Sequence, residues 1–296
     1  MTAPIAVLAL LACWLVGLLL AAEARGYMLS GYAAERPPRA MLLRTQLVGT
    51  ALNRVVPWGG GLVAAHGRLL ARRGHKAEMI AACLGGYAVA GMVAHAALCG
   101  VAIAVIVSGV VPAHLGVGGR LPAVPWPALA AVGLCGAVAF GCWGRVRRRL
   151  TGWATPLRAA VGVIRRSPGT LLQVTVLHVL AQLAAAVALF CALLATGTHV
   201  AVLAVVITVL LTSAVAGLFP APAGTGPAEA GLIGGLLLVG VAVGPATAGV
   251  VLYRLVTHWL PVPLGALFAG RELRDMVRAR WLRRAPAEPA ALMAVC

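Results

Sequence analysis

Glu229 and Arg254 are the residues best placed to do chemistry in this chain. Glu229 is the only acidic residue between Arg166 and Glu272, and Arg254 is the only basic one between Arg166 and Arg271. Both stand in apolar surroundings, where a charge costs about 2.5–3.5 kcal/mol on insertion scales. A charge kept there marks either a functional site or a paired lock between helices. Upstream of the carboxylate runs Pro220-x-Pro222-x-Gly224-x-Gly226-x-x-Glu229. A glycine-rich break that opens a helix leaves free N–H groups at a positive dipole end, which suits a phosphate. Gly224 and Gly226 are therefore candidate anion-binding positions. No Lys-Ser/Thr follows them, so this is not a nucleotide P-loop. The helices bearing Glu229 and Arg254 are expected to turn at Gly244-Pro245. That turn offsets the pair by five positions, about 7.5 Å along the axis, which a long Arg side chain can largely bridge.

A second break lies in the first half: Asn53, Pro57 and Gly59-Gly60-Gly61. Aligning Pro57 with Pro220 sets Gly61 on Gly224, Ala51 on Ala214 and His66 on Glu229. Both segments read as half-helix, proline, glycine-rich break, half-helix. Paired broken helices at corresponding places in two halves point to a transport site. Asn53 and His66 join the candidates for substrate binding on this ground. His258, four after Arg254, can line the same cavity. His178 and Gln182, four apart, can hydrogen-bond to a neighbouring helix. No HExxH, CxxC or nucleophile–base arrangement occurs, and six of the seven cysteines, all but Cys296, read as small packing residues. No metal, cofactor or catalytic residue is expected, and the chain is not read as an enzyme.

The elements that hold these residues are membrane helices. Of 296 residues, 61% are apolar and 10% charged, against about 25% charged in soluble domains. Ser167 to Ala228 and Met79 to Gly119 contain no Lys, Arg, Asp or Glu. The expected fold is all-α and polytopic, with about 7–8 membrane segments. They fall near 3–22, 42–63, 78–110, 125–143, 168–195, 199–219, 227–243 and 246–268. One or two of these are re-entrant broken-helix elements, and an inverted repeat is possible. Residues 1–270 form the membrane domain. Residues 271–296 form a basic cytoplasmic tail in which Leu273, Val277 and Trp281 suit a short amphipathic helix.

The net charge of +17 belongs to Arg-rich loops between apolar spans, so nucleic-acid binding is not expected. Basic loops face anionic headgroups on the cytoplasmic side. This puts the chain in the plasma (inner) membrane with its N-terminus outside and its C-terminus cytoplasmic. The first apolar run has no positive charge before it and four arginines after it, which favours a retained helix over a cleaved signal. The stretch 42–63 has basic residues on both sides, so it is expected to enter and leave on one face.

The run from Pro220 to Glu229, followed by Val251-Leu252-Tyr253-Arg254-Leu255 and Trp259-Leu260-Pro261, resembles the lysylphosphatidylglycerol synthase transmembrane-region family. The resemblance spans about residues 1–270. It implies a lipid-translocating membrane domain and adds Tyr253 to Glu229 and Arg254 as site residues. Leu62 and Val63 stand where family members often carry an acid. No synthase domain follows the membrane part, so lysyl-lipid synthesis is not expected. The reading is a flippase-like translocator of phospholipid or lipid-linked molecules. Its rivals are a membrane scaffold or regulator of an envelope enzyme, and a small-solute carrier. Membrane phospholipid is the expected partner, with a homo-oligomer or an envelope enzyme as further possibilities.

Overall fold

The computed structural model describes residues 2–32, 36–54, 60–108, 167–216 and 226–270. The span expected at 125–143, the breaks at Pro57, Pro220 and Gly224, and the tail helix lie outside these residues. Within them the chain forms eight helices. They are α1 Ala3–Ser30, α2 Arg39–Leu52, α3 Gly60–Arg72, α4 Ala77–Val107, α5 Pro168–Ala195, α6 Val202–Ala216, α7 Pro227–Leu238 and α8 Val243–Gly270. Proline opens α1, α5 and α7 within the first two positions, where its missing N–H would have had no helical partner anyway.

Length sorts the helices into two kinds. The 28 residues of α1 and of α5 rise about 42 Å, enough to cross a ~30 Å hydrocarbon core with tilt. Helices α4 and α8 are about as long, though α8 is less apolar, which makes four helices among the described residues able to cross a membrane by length and composition. Leu8, Met92, Val101, Leu172 and Leu267 stand exposed on their outer faces, as lipid-facing residues do. The other four helices have 12 to 15 residues and stop short of a crossing. They pair as two antiparallel hairpins, α2–α3 and α6–α7. In the first, Gly49 faces Leu62 and Ala65, while Gly61 faces Leu52 and Asn53. In the second, Gly231 faces Thr212 and Gly235 faces Thr208.

Among the described residues each half therefore holds a long helix, a broken hairpin and a long helix: α1, α2–α3, α4, then α5, α6–α7, α8. The 163-residue offset that aligns Pro57 with Pro220 carries Leu52 to position 215 and Ala77 to position 240. Those positions lie beside the end of α6 and the start of α8. Helices α1 and α5 pack along most of their lengths. Leu10 clusters with Ala188, Cys191 and Ala192, Gly17 lies against Ala181 and Ala184, and Ala24 and Met28 cluster with Val174. Numbers rise on one helix as they fall on the other, so the two leading helices are antiparallel and the halves are inverted. One apolar core lies among α5, α6, α7 and α8, around Leu189, Leu193, Val205 and Leu236. Its counterpart lies among α1, α2, α3 and α4, around Leu29, Leu42, Leu70 and Cys83.

One expectation changes. The turn between Glu229 and Arg254 is centred on Gly240, at φ 86°, not on Gly244-Pro245. Pro245 instead sits in the first turn of α8, where it has no helical hydrogen bond to lose. Glu229 is then 11 residues before Gly240 and Arg254 is 14 after it, so the pair is closer to level than the sequence suggests. The stretch 42–63 is broken, as expected: α2 ends at Leu52 and helix resumes at Gly60.

Candidate functional site

The site is built from Glu229 outward. Glu229 is the third residue of α7, whose N-cap is Gly226. Gly226 has φ 90°, a left-handed backbone that costs other residues about 1–2 kcal/mol. This bend swings the Gly226 N–H onto the Glu229 carboxylate, which accepts it at 2.6 Å. That is the reciprocal half of a capping box, with an acid at the positive end of the helix. The second carboxylate oxygen accepts from Arg254 Nε at 2.5 Å. The Arg254 side chain is 14% exposed and that of Glu229 30%. The Gly226 N–H that the sequence offers to a phosphate is thus already engaged by Glu229.

Arg254 ends the regular part of α8. A π-helical turn, Leu255–Trp259, follows, closed by Leu260 N–H donating to the Leu255 carbonyl at 2.9 Å. Such one-turn bulges recur at functional sites. Pro261 explains a free acceptor here. In an α-helix residue 261 would donate to the Thr257 carbonyl, and proline has no N–H to give. Arg54 Nη2 instead reaches that oxygen at 3.5 Å. Arg54 stands at the tip of the first hairpin, and it feels the charge of Arg254. His258, 1% exposed, feels Arg54, Arg254 and Glu229. Gly265 lies against Leu47 and Ala51, which seats α2 on the second half of α8. Both hairpins thereby converge on the middle of one long helix.

Tyr253 packs against the apolar clusters on either side of α8, while its carbonyl accepts from Thr257 Oγ1 at 2.8 Å. Asn53 has a bracing role. Its Oδ1 accepts from Leu62 N–H at 2.9 Å, which ties the end of α2 to the first turn of α3. A Cβ on Gly61 would collide with the backbone of Leu52 and Asn53, so the tip closes only around glycine. Gly224 lies outside the described residues.

His66 does not join Glu229. It is 2% exposed on α3 and donates from Nδ1 to the Leu62 carbonyl at 3.0 Å. Its neighbours are Arg25, Leu70 and Tyr87, around a small apolar pocket. Arg25 donates to Gln46 and lies 4.1 Å from the Tyr87 ring centroid. The Tyr87 ring in turn lies tilted against that of His178, with centroids 4.4 Å apart. Gln182 bonds to His95 on α4, while His178 donates to its own helix at Val174, 2.9 Å away. His66 is the positional counterpart of Glu229, but it belongs to a separate polar cluster in the first half.

Sequence reasoning missed Arg54, because its position beside a basic loop hid it among loop charges. Its signal was the spacing Asn53-Arg54-x-x-Pro57, which puts a cation at the start of a membrane break. Among the described residues no group of His, Cys, Asp and Glu has a metal-binding arrangement.

The chain was also compared with known proteins. No curated protein matches it. The family model of the lysylphosphatidylglycerol synthase transmembrane region matches residues 1–265, so the chain belongs to that family and is a membrane protein with a lipid-related role.

Proposed function

We propose that the chain translocates phospholipid or lipid-linked molecules across the inner membrane. The observation that carries this reading is the meeting of two broken hairpins, from inverted halves, at the paired charges Glu229 and Arg254. Irregular backbone and charge at membrane depth are sustained where protein or a water-filled cavity satisfies them. A headgroup crossing the bilayer needs such a polar station. Inverted halves supply two equivalent gates, one toward each face. The N-terminus lies outside and the C-terminus in the cytoplasm. The first hairpin then enters from the cytoplasm, the second from outside, and the Arg-rich loops rest on anionic headgroups.

The test is headgroup crossing in reconstituted vesicles. Glu229→Gln and Arg254→Gln are expected to slow it by about tenfold or more, equal to about 1.4 kcal/mol at the barrier. Wild-type rates in both variants would remove the pair from the mechanism.

The doubly engaged Glu229 carboxylate also fits a second reading, a scaffold in which the pair only locks α7 to α8. Exchanging the two residues separates the readings. A lock tolerates the exchange, whereas a headgroup station loses transport while keeping its fold.

A further inference from the structure

The cluster at the hairpin tips has a charge balance that bears on what it can hold. Glu229 contributes one negative charge, and Gly226 and Arg254 already engage both its oxygens. Arg254 and Arg54 contribute two positive charges, and Arg54 has no ion pair with a carboxylate among the described residues. Two buried nitrogens in the cluster, Arg54 Nε and His258 Nε2, have no hydrogen-bond partner. Leaving such groups unmatched away from water costs about 1–3 kcal/mol each, more when charged.

Among the described residues no second acid is within reach. The chain has seven acidic residues, and none lies between Glu78 and Glu229 or between Glu229 and Glu272. Glu23 is paired with Arg36 and Arg39. It stands 13 residues, about 20 Å, along α1 from Leu10, which packs beside Val256. Glu78 is in the first turn of α4.

We infer that this site selects lipids whose headgroup is a net-negative phosphate, and that it rejects headgroups carrying a compensating amine. The inference rests on the translocation reading and names its substrate class. The cationic Arg54, with His258 beside it, receives the phosphate. Glu229 orients Arg254 and is not free for an ammonium group. A cation brought to this cluster meets a net positive charge, with no carboxylate to spare among the described residues.

The test uses the full chain in nanodiscs holding equal amounts of phosphatidylglycerol, phosphatidylethanolamine, lysyl-phosphatidylglycerol and a polyprenyl monophosphate. Retained lipids are read by native mass spectrometry, and crossing is read in vesicles of the same lipids. Retention of either anionic lipid about fivefold or more above the lysyl lipid is expected, on the scale of one unit charge in a partly buried site. Equal retention, or preference for the lysyl lipid, would overturn the inference.

Arg54→Glu makes the cluster net negative and is expected to reverse the preference, an outcome that misfolding cannot imitate. An unchanged preference in that variant counts against the inference. Glycerol phosphate in about 100-fold excess distinguishes a free phosphate ligand, which it displaces, from a lipid-borne one. Either result supports a phosphate site. Selective retention without crossing of any lipid would sink translocation and leave the anion selectivity standing.

Discussion

Arg54 at the tip of the first hairpin donates to the carbonyl of Thr257, 203 residues later in the chain. That contact joins the two halves at the π turn of α8, and it exists because Pro261 leaves the acceptor free. Replacing Pro261 with alanine supplies the missing N–H. The turn is then expected to tighten to α-helix, so that Arg54 loses its acceptor. Thermal stability should hold or rise by about 1 kcal/mol or more, since a helix-interior proline is removed. Headgroup crossing should fall about tenfold. Unfolding curves alongside transport rates check both; full transport in Pro261→Ala would show the π turn to be incidental.

Glu229→Gln leaves Arg254 with a weaker, neutral acceptor. With the Glu229 side chain 30% exposed, the loss is expected near 1–3 kcal/mol, below the range for fully buried pairs. Arg254→Gln should cost a similar amount, and the two losses should not add, because each removes the same contact. A double-mutant cycle by thermal melting in detergent measures this. Simple additivity would mean that the pair does not interact in the membrane protein.

Gly226→Ala puts a side chain on a backbone at φ 90°. The expected destabilisation is about 1–2 kcal/mol, accompanied by loss of the N–H bond to Glu229. Transport should drop along with stability. A melting temperature equal to that of the wild type would show that the turn adopts another conformation.

The inverted arrangement has a chemical test of its own. A Cβ on Gly17 would lie 3.9 Å from the Ala184 Cβ, within the range a disulfide spans. In a chain cleared of its seven native cysteines, Gly17→Cys with Ala184→Cys should cross-link under mild oxidation. Failure to link, with the protein folded, would contradict the antiparallel pairing of α1 and α5.

Arg25 offers a contrast with Arg254. It is 8% exposed and is held by Gln46 and the Tyr87 face rather than by a carboxylate. Gln46→Leu should destabilise by about 1–3 kcal/mol, since it strands a buried cation. Arg25→Met, which removes the charge and keeps the volume, should be near neutral or stabilising. Melting temperatures of the two variants in the opposite order would refute this account.

Much of the fold can be read from the sequence because membrane helices announce themselves locally. The long apolar runs became α1, α4, α5 and α8, and the stretches 42–63 and 199–243 each hold a pair of short helices. The pairing of Glu229 with Arg254 was legible for the same reason: a lone acid and a lone base on consecutive helices have few other partners. What escaped was long-range or conformational. The Arg54–Thr257 contact joins residues that no periodicity links. The π turn depends on a proline whose effect falls on the acceptor four residues before it. Equating His66 with Glu229 found the right position in the repeat and the wrong surroundings, since Arg25 and Tyr87 have no charged equivalents in the second half.

The threonine methyls of α6 have a mechanical consequence. Thr212 and Thr208 fill the notches left by Gly231 and Gly235 on α7, close enough that a single added carbon would collide. The two short helices are keyed together and cannot slide past each other, so this hairpin behaves as one stiff blade. The chain enters and leaves this blade past Gly197 and Gly240, which both hold left-handed backbone. Spin labels on α6 and α7 should keep a fixed separation while the distance from either to α1 changes as lipid is handed across.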